Sequence, residues 1–166
     1  LSRLPLGEVV DHSALPWRDL PGNLMPPAPA EVAAVQRLST TAHWQVPVLA
    51  GDQPLTLLAW AATPPVFGPG DRNARRNHDE AAFWLDHLPQ GRFVLIGNSN
   101  LDPEDGEGRR QAMAALLTRV QDPRPASEGG RLAPQTGANA AQRGDPALDT
   151  AEWGVEPGRP GNMRVD

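Results

Sequence analysis

Cysteine, lysine and tyrosine do not occur among the 166 residues of the chain. Without cysteine there can be no disulfide, no thiolate zinc site and no thiol nucleophile. All 15 basic residues are arginine, and the 20 acidic residues bring the net charge to −5. That balance argues against nonspecific nucleic-acid binding, which needs concentrated positive charge to displace counterions. No apolar run approaches the length of a membrane span, so no membrane partner is expected.

The overall composition is typical of a folded chain with many turns. Hydrophobic residues make up 39% and charged residues 21%, and 16 glycines and 19 prolines punctuate the sequence. The length predicts one domain spanning residues 1–166. The order strand, helix, strand, loop, helix predicts the α/β class.

The N-terminal half is predicted to be mostly extended. Residues 1–10 have the pattern of a strand, and residues 11–34 are a proline-rich loop that Trp17 and Leu20 would anchor to the core.

A hairpin is predicted next, from two strands that flank the turn at residues 50–53. The first strand covers residues 36–50 and the second covers residues 54–61. Apolar side chains alternate with a period of two in the first strand, at Trp44, Val46 and Val48. The pairing is therefore predicted to be antiparallel.

Two amphipathic helices are predicted in the second half. The first covers residues 72–88 with Asp71 as its N-cap, because one face carries Ala81, Trp84, Leu85 and Leu88. The second covers residues 109–120, and its inward face carries Met113, Leu116, Leu117 and Val120. Residues 121–163 are poor in apolar residues and are predicted to be a long loop.

A short apolar strand that runs into a polar turn is the best candidate for a functional site. Phe93 to Ile96 has the pattern of a buried central strand, and Asn98, Asn100 and Asp102 follow at alternate positions. If the loop is extended, all three side chains face one crevice. An ordinary turn is the alternative, since asparagine, aspartate and proline populate turns for conformational reasons.

Several segments resemble the endonuclease/exonuclease/phosphatase superfamily, the metal-dependent phosphoesterases related to DNase I. Residues 97–103, Gly-Asn-Ser-Asn-Leu-Asp-Pro, are similar to the family's Gly-Asp-x-Asn-x-Asp-Pro segment. Residues 1–6 resemble its Leu-Ser-Arg-x-Pro-Ile segment, and residues 164–166 resemble its Arg-Ile-Asp-Tyr segment. Residues 63–80 resemble a bacterial branch of the superfamily.

The resemblance implies a fold and a reaction. The fold would be part of a DNase I-like two-sheet sandwich flanked by helices, and the reaction would be Mg²⁺-assisted hydrolysis of phosphate esters. Asn100 matches the residue that contacts the scissile phosphate, Asn98 stands at the position of the catalytic base, and Asp166 matches the residue that orients the catalytic histidine. The net charge of −5 favours a small phosphate ester over nucleic acid as the substrate class.

Departures from the family pattern predict that this chain is inactive. Asn98 cannot act as a carboxylate base, and Trp60 and Ala61 stand where the family has a Thr-His or Ser-His pair. The family's metal-binding Glu lies upstream of the resemblance and its Ser-Asp-His segment lies downstream, so we expect an internal segment of a longer protein, incomplete at both ends. Magnesium binding is expected to be weak or absent. The alternative function is a non-catalytic binding or structural domain that retains the fold.

The remaining polar candidates are predicted to have structural roles. Residues 78–80, His-Asp-Glu, are interpreted as solvated helix surface, since consecutive helical residues point in different directions. The other histidines, His12, His43 and His87, lack carboxylates at metal-ligand spacing and are expected to be ordinary surface or strand residues.

Three aspartates belong to the same group. Asp102 is predicted to cap its turn, and Asp145 with Asp149 could either pair around a cation or belong to a proline-stiffened turn. Exposed strand edges at Leu1 and Val165 are expected to drive self-association.

Overall fold

The computed structural model describes residues 2–49 and 51–166. Over that range the protein is a mixed α/β structure with a four-stranded mixed sheet, a two-stranded sheet and helices. The strands are β1 (Val10–Asp11), β2 (His43–Val48), β3 (Leu55–Ala61), β4 (Phe93–Asn98), β5 (Ala151–Glu152) and β6 (Asn162–Met163). The α-helices are α1 (Ala30–Val35), α2 (Arg72–Leu85), α3 (Gln111–Leu117) and α4 (Glu128–Leu132). Short 3₁₀ helices cover Trp17–Asp19, Gly137–Ala141 and Pro146–Leu148.

The larger sheet has the order β1-β2-β3-β4. Strands β2 and β3 form the predicted antiparallel hairpin, in which Trp44 lies opposite Ala59. Strand β4 is parallel to β3, with Leu58 opposite Leu95. Helix α2 makes the crossover between these two parallel strands, as a parallel connection requires. The α/β class is therefore confirmed.

The core lies on one face of the larger sheet, under α2 and α3. Leu58 and Trp60 of β3 point into it, and Trp84 of α2 is fully buried against them. Trp17 and Leu20 also belong to this core, at 0% and 4% exposure, which confirms that they anchor the N-terminal loop. The opposite face of the sheet carries the exposed side chains of Trp44, Val94 and Ile96, among others.

Several element boundaries differ from the sequence predictions. The strand predicted for residues 1–10 is wrong within the described range: only Val10–Asp11 is a strand, and Leu6 makes an isolated bridge to Val48. The N–H of Gly7 donates to Pro47 and the carbonyl oxygen of Pro5 accepts from Leu49, but Pro5 and Pro47 have no N–H to return the second hydrogen bond of each pair. The strand predicted over residues 36–50 is shorter, because pairing begins at His43; Ala50 lies outside the described residues.

Strand β4 is not the central strand that its apolar run predicted. It is the last strand of the sheet, and Val94 and Ile96 are 41% and 52% exposed. A continuous apolar run indicates burial on both faces, but here only the residues that alternate with these two face the core.

Residues 121–163 are more structured than a loop. They contain α4, the 3₁₀ helices Gly137–Ala141 and Pro146–Leu148, and the antiparallel pair β5 and β6. Each element is short, so it leaves little periodic signal in the sequence.

The two longer helices begin and end close to the predicted positions. Asp71 occupies the N-cap position of α2, but its side chain makes no capping hydrogen bond. It pairs instead with Arg75 and Arg109, at 2.9 Å in each case.

Candidate functional site

Strands β3 and β4 are parallel, so their carboxyl ends meet at one edge of the sheet. Ala61 lies opposite Asn98, and the N–H of Ala62 donates to the carbonyl oxygen of Asn98 over 2.9 Å. The polar segment of residues 97–103 leaves the sheet at this point. Crevices at the carboxyl ends of parallel strands are the usual ligand sites of α/β sheets.

The side chain of Asn98 is used to shape this segment. Its Oδ1 accepts a hydrogen bond from the backbone N–H of Asn100 over 2.9 Å, which is an Asx turn. Asn100 adopts a φ of 51°, a left-handed conformation that asparagine tolerates better than most residues. Asn98 therefore stabilises the turn in which Asn100 is presented.

Asn100 is tied to the ends of two neighbouring segments. Its Nδ2 donates to the carbonyl oxygen of Ala62 over 2.7 Å, and its backbone N–H also lies 2.9 Å from the carbonyl oxygen of Val165. One amide hydrogen is thus engaged by the backbone. The second amide hydrogen and Oδ1 have no partner among the described residues, so part of the amide can still bind a ligand.

Asp166 follows directly after the residue that contacts Asn100. Its side chain is exposed and makes no hydrogen bond within the described residues. The structure therefore brings all three predicted site residues to one edge of the sheet: Asn98 and Asn100 through hydrogen bonds, and Asp166 through its neighbour Val165. No described histidine contacts Asp166, so it has no imidazole to orient here.

Asp102 caps its turn, as predicted. Its Oδ1 accepts from the N–H groups of Glu104 and Asp105, at 2.8 Å each, and its Oδ2 accepts from the N–H of Arg164 over 2.8 Å. The carboxylate is buried and holds residues 164–166 against the turn. Asp102 thereby positions the segment that carries Asp166.

The interpretation of residues 78–80 as solvated surface is wrong for two of the three. Asp79 and Glu80 are 1% and 0% exposed. Asp79 Oδ2 accepts from the indole N–H of Trp17 and the backbone N–H of Leu24, at 2.6 Å each. One side-chain donor and one backbone donor of the N-terminal loop thus satisfy this buried carboxylate, and no local sequence pattern encodes such long-range partners.

Glu80 accepts hydrogen bonds from two separate segments beside the site. Its Oε1 receives the backbone N–H and the hydroxyl of Thr40, at 3.0 and 3.1 Å, and its Oε2 receives the N–H of Thr63 over 2.5 Å. Burial raises the pKa of Glu80 above its ordinary value, against the opposite effect of these donors. Glu80 is thus a buried acceptor that holds two loops together.

Asn77 connects α2 to the candidate site and was not singled out by the sequence. Its Nδ2 donates to the carbonyl oxygens of Thr63 and Ser99, at 2.8 Å each, so it clamps the segments that follow β3 and β4. The spacing in the sequence could have indicated this role. Asn77 and Glu80 precede Trp84 by seven and four residues, so they share its buried helix face. Polar residues on a core-facing helix stripe predict buried hydrogen-bonding roles.

Three histidines form an aromatic cluster around Phe83, away from the site. His12 and His87 lie with ring centroids 5.2 Å apart, and His43 packs against Phe83 at 5.1 Å. His43 is 1% exposed, and its Nε2 lies 3.0 Å from the carbonyl oxygen of Glu80, to which it donates. Burial lowers the pKa of His43 to about 4. It is a neutral core residue of β2, so its prediction as a strand histidine holds.

Asp145 and Asp149 belong to a turn that lines one pocket together with Asp102. Asp145 Oδ1 accepts from the N–H of Ala147 over 3.0 Å, which supports the turn interpretation of this pair. Asp149 lines a small pocket of about 120 Å³, where its Oδ2 is buried and has no hydrogen-bond partner among the described residues. Burial, and then the charges of Asp102, Asp105 and Asp145, raise the pKa of Asp149 to about 6.

The donor set at the candidate site does not fit Mg²⁺. The ion prefers octahedral coordination by oxygen atoms, and proteins usually supply one or two charged carboxylates to it. Asn98 has its amide oxygen engaged in the turn, and Asp166 is a single exposed carboxylate. Within residues 2–49 and 51–166, no group of three or more His, Asp or Glu side chains is arranged to hold a metal ion.

Comparisons with protein-family models, with curated proteins and with solved structures returned no match to this chain. Over the described part of the chain, no helix is long and apolar enough to cross a membrane. The residues of the candidate site offer amide donors and acceptors and the carboxylate of Asp166. Among the described residues, they form no metal-binding cluster.

Proposed function

We propose that the chain is a divergent domain of the endonuclease/exonuclease/phosphatase superfamily, descended from metal-dependent phosphoesterases, and that these 166 residues do not hydrolyse phosphate esters. The observation that carries the proposal is the convergence of three resembling positions. Asn98 and Asn100 lie in one turn at the carboxyl edge of β3 and β4, and the segment that carries Asp166 is held to that turn by the hydrogen bond from Asn100 N–H to the carbonyl oxygen of Val165. If the site descends from that of the superfamily, these positions must lie close together.

The exposed face of the larger sheet supports the two-sheet sandwich of that superfamily. In the register of the sheet, this face carries mainly apolar side chains: Leu6, Trp44, Val46, Val48, Leu55, Leu57, Ala59, Val94 and Ile96. Trp44 and Ile96 are 44% and 52% exposed. A second sheet packed on this face would bury it in the manner of a sandwich core.

The inactivity follows from the chemistry of Asn98. An amide has no basic form that could take a proton from water, and the donor set does not fit the metal that would otherwise activate it. A restored carboxylate at this position could contribute about 10²–10⁴-fold through general base catalysis alone. The metal ion would still lack ligands.

Hydrolysis of bis(p-nitrophenyl) phosphate with Mg²⁺ tests this expectation. We expect no turnover by the unmodified chain, and none by Asn98→Asp, because one carboxylate does not complete the site. Asn23→Asp is the matched control for an added charge in another turn. Turnover by the unmodified chain that disappears in Asn100→Ala would contradict the inactivity and place a working catalytic site here.

The alternative function is a non-catalytic binding or structural domain. It is favoured by the engagement of Asn98 Oδ1 and Asn100 Nδ2 with the backbone, which a purely structural turn would also show. Titration with phenyl phosphate, followed by the side-chain amide NMR signals, separates the two. Shifts at Asn98 and Asn100, but not at buried Asn139, support a phosphate site. Unchanged signals at both positions support the structural alternative.

A further inference from the structure

Strand β4 has one edge without a partner strand among the described residues. The carbonyl oxygens of Arg92 and Asn98 accept from Thr56 and Ala62, so the even-numbered residues direct their backbone groups toward β3. Successive residues of a strand direct their N–H and C=O groups to opposite edges of the strand. The N–H and C=O groups of Phe93, Leu95 and Gly97 therefore point away from the sheet. None of them has a hydrogen-bond partner within the described part of the chain.

The groove beside this edge is lined mainly by apolar side chains, with the charged side chains of Arg119, Asp122, Arg164 and Asp166 among its lining. It has a volume of about 750 Å³ and runs along β4, with Met113 and Leu117 of α3 on its far wall. On the other face of the sheet, Val94 and Ile96 are 41% and 52% exposed. Proline, which commonly blocks edge pairing, is absent from Phe93–Asn98, although Pro123 and Pro125 line the groove beside it. Among the described residues, no strand occupies this edge.

We propose that the occupant of this edge is β4 of a second copy, in an antiparallel two-fold pairing with Leu95 opposite Leu95. In this register Leu95 exchanges two hydrogen bonds with its copy, and Phe93 exchanges two with Gly97 at each end. Six backbone hydrogen bonds form, and every outward group of the three residues is satisfied. The two sheets join into one of eight strands with the same face toward the core.

The side chains of β4 suit this register on both faces. Val94 lies opposite Ile96 of the second copy at a non-hydrogen-bonded position, where β-branched side chains pack closely. On the core side, Phe93 lies opposite Gly97, whose missing side chain leaves room for an aromatic ring. The rings and Leu95 of the two copies then occupy the groove.

Charge complementarity selects the antiparallel direction. Exposed Arg92 precedes β4, and exposed Asp166 lies at its other end, beside Asn100. In antiparallel pairing, Arg92 of one copy opposes Asn98 of the other and comes near its Asp166. A parallel arrangement would place Arg92 beside Arg92 and Asp166 beside Asp166. The second copy therefore meets opposite charges at both ends of the strand.

Mass measurement in solution tests the pairing. Light scattering across a concentration series should give a mass twice the 17.8 kDa of the chain. Val94→Lys combined with Ile96→Lys sets like charges opposite each other and should return the mass to that of one chain. Val35→Lys, at a residue that is 77% exposed on α1, is the matched control and should remain a dimer. A wild-type mass of one chain at every concentration would overturn the proposal.

Cysteine cross-linking tests the register, and it does not depend on the folding of the lysine variant. The chain has no native cysteine, so introduced thiols are unique. Val94→Cys mixed with Ile96→Cys should form a disulfide heterodimer, since a non-hydrogen-bonded pair spans about 4.5 Å between Cα atoms. Each variant alone should stay uncross-linked. Cross-linking by either variant alone, or none in the mixture, would overturn the Leu95-centred register.

Discussion

At the scale of single residues, Glu80 has a structural role that its local sequence pattern does not indicate. Its two oxygens accept from Thr40 and Thr63, and Asn77, one helical turn earlier, donates to Thr63 and Ser99. These two residues of α2 hold the loops beside the candidate site. A buried N–H that loses its acceptor costs about 1–3 kcal/mol. The positions of Asn98 and Asn100 therefore depend on residues that contact neither of them.

Replacement of Glu80 should destabilise the whole fold. We expect Glu80→Ala to lower the free energy of unfolding by about 2 kcal/mol or more, because the N–H groups of Thr40 and Thr63 both lose their acceptor. Glu80→Gln, which keeps one acceptor oxygen, should lie between that variant and the wild type. Urea denaturation measures the difference. Glu8→Ala, at an exposed position, is the control, and an equal loss in that variant would contradict the role of Glu80.

The site residues were predictable from sequence to a limited extent. Asn98 and Asn100 could be singled out because a β-prone run precedes them and because residues 97–103 resemble a known segment. Their partners could not be found this way. The carbonyl groups of Ala62 and Val165 lie 38 and 65 positions from Asn100, and only the packing of β3, β4 and the C-terminal segment brings them together.

At the scale of elements, the junction of β3 and β4 depends on Gly97. This residue has a φ of 143°, and a Cβ built on it would overlap the carbonyl oxygen of Trp60 on the neighbouring strand. Both conditions exclude a side chain at this position. Glycine here permits the close approach of two strands just before the polar turn begins.

Gly97→Ala should therefore weaken or abolish folding. We expect a loss of about 3 kcal/mol or more in the free energy of unfolding, since backbone strain adds to a clash with a carbonyl group that cannot move without breaking the sheet. Gly91→Ala is the matched control, because a Cβ at Gly91 meets nothing within 4 Å. Thermal denaturation of the two variants compares them directly, and similar melting temperatures would refute the steric argument.

At the scale of the whole molecule, burial of uncharged histidine makes stability depend on pH. His43 has a folded pKa of about 4 against an ordinary value of 6.5, and burial also lowers the pKa of His12. Above pH 6.5 both states of His43 are neutral and the group contributes no pH dependence. Between pH 6.5 and pH 4, His43 binds a proton in the unfolded chain but not in the folded chain. The free energy of unfolding therefore decreases as the pH is lowered through this range.

We expect the free energy of unfolding to decrease by about 3 kcal/mol between pH 6.5 and pH 4 through His43 alone, at about 1.4 kcal/mol per pH unit. Urea denaturation at several pH values measures the slope. His43→Phe should remove this contribution whatever its effect on stability at pH 8. It should leave the opposite contribution of Asp149, whose folded pKa of about 6 makes the folded chain bind a proton before the unfolded chain as the pH falls. His78→Gln should retain the contribution of His43, because His43 is still buried in that variant. An unchanged slope in His43→Phe would show that other groups carry the dependence.

The sequence by itself determined the elements whose pattern is local. The period of two in residues 43–48 specifies a strand, and the apolar stripe of residues 72–85 specifies a helix, because neighbouring side chains must share one buried face. The tertiary structure alone decided that β4 is an edge strand, that Asp79 and Glu80 are buried, and that the segment carrying Asp166 lies against the turn of Asn98 and Asn100. Each of these depends on contacts between residues far apart in the chain. Local periodicity carries no information about which segment will supply the partner.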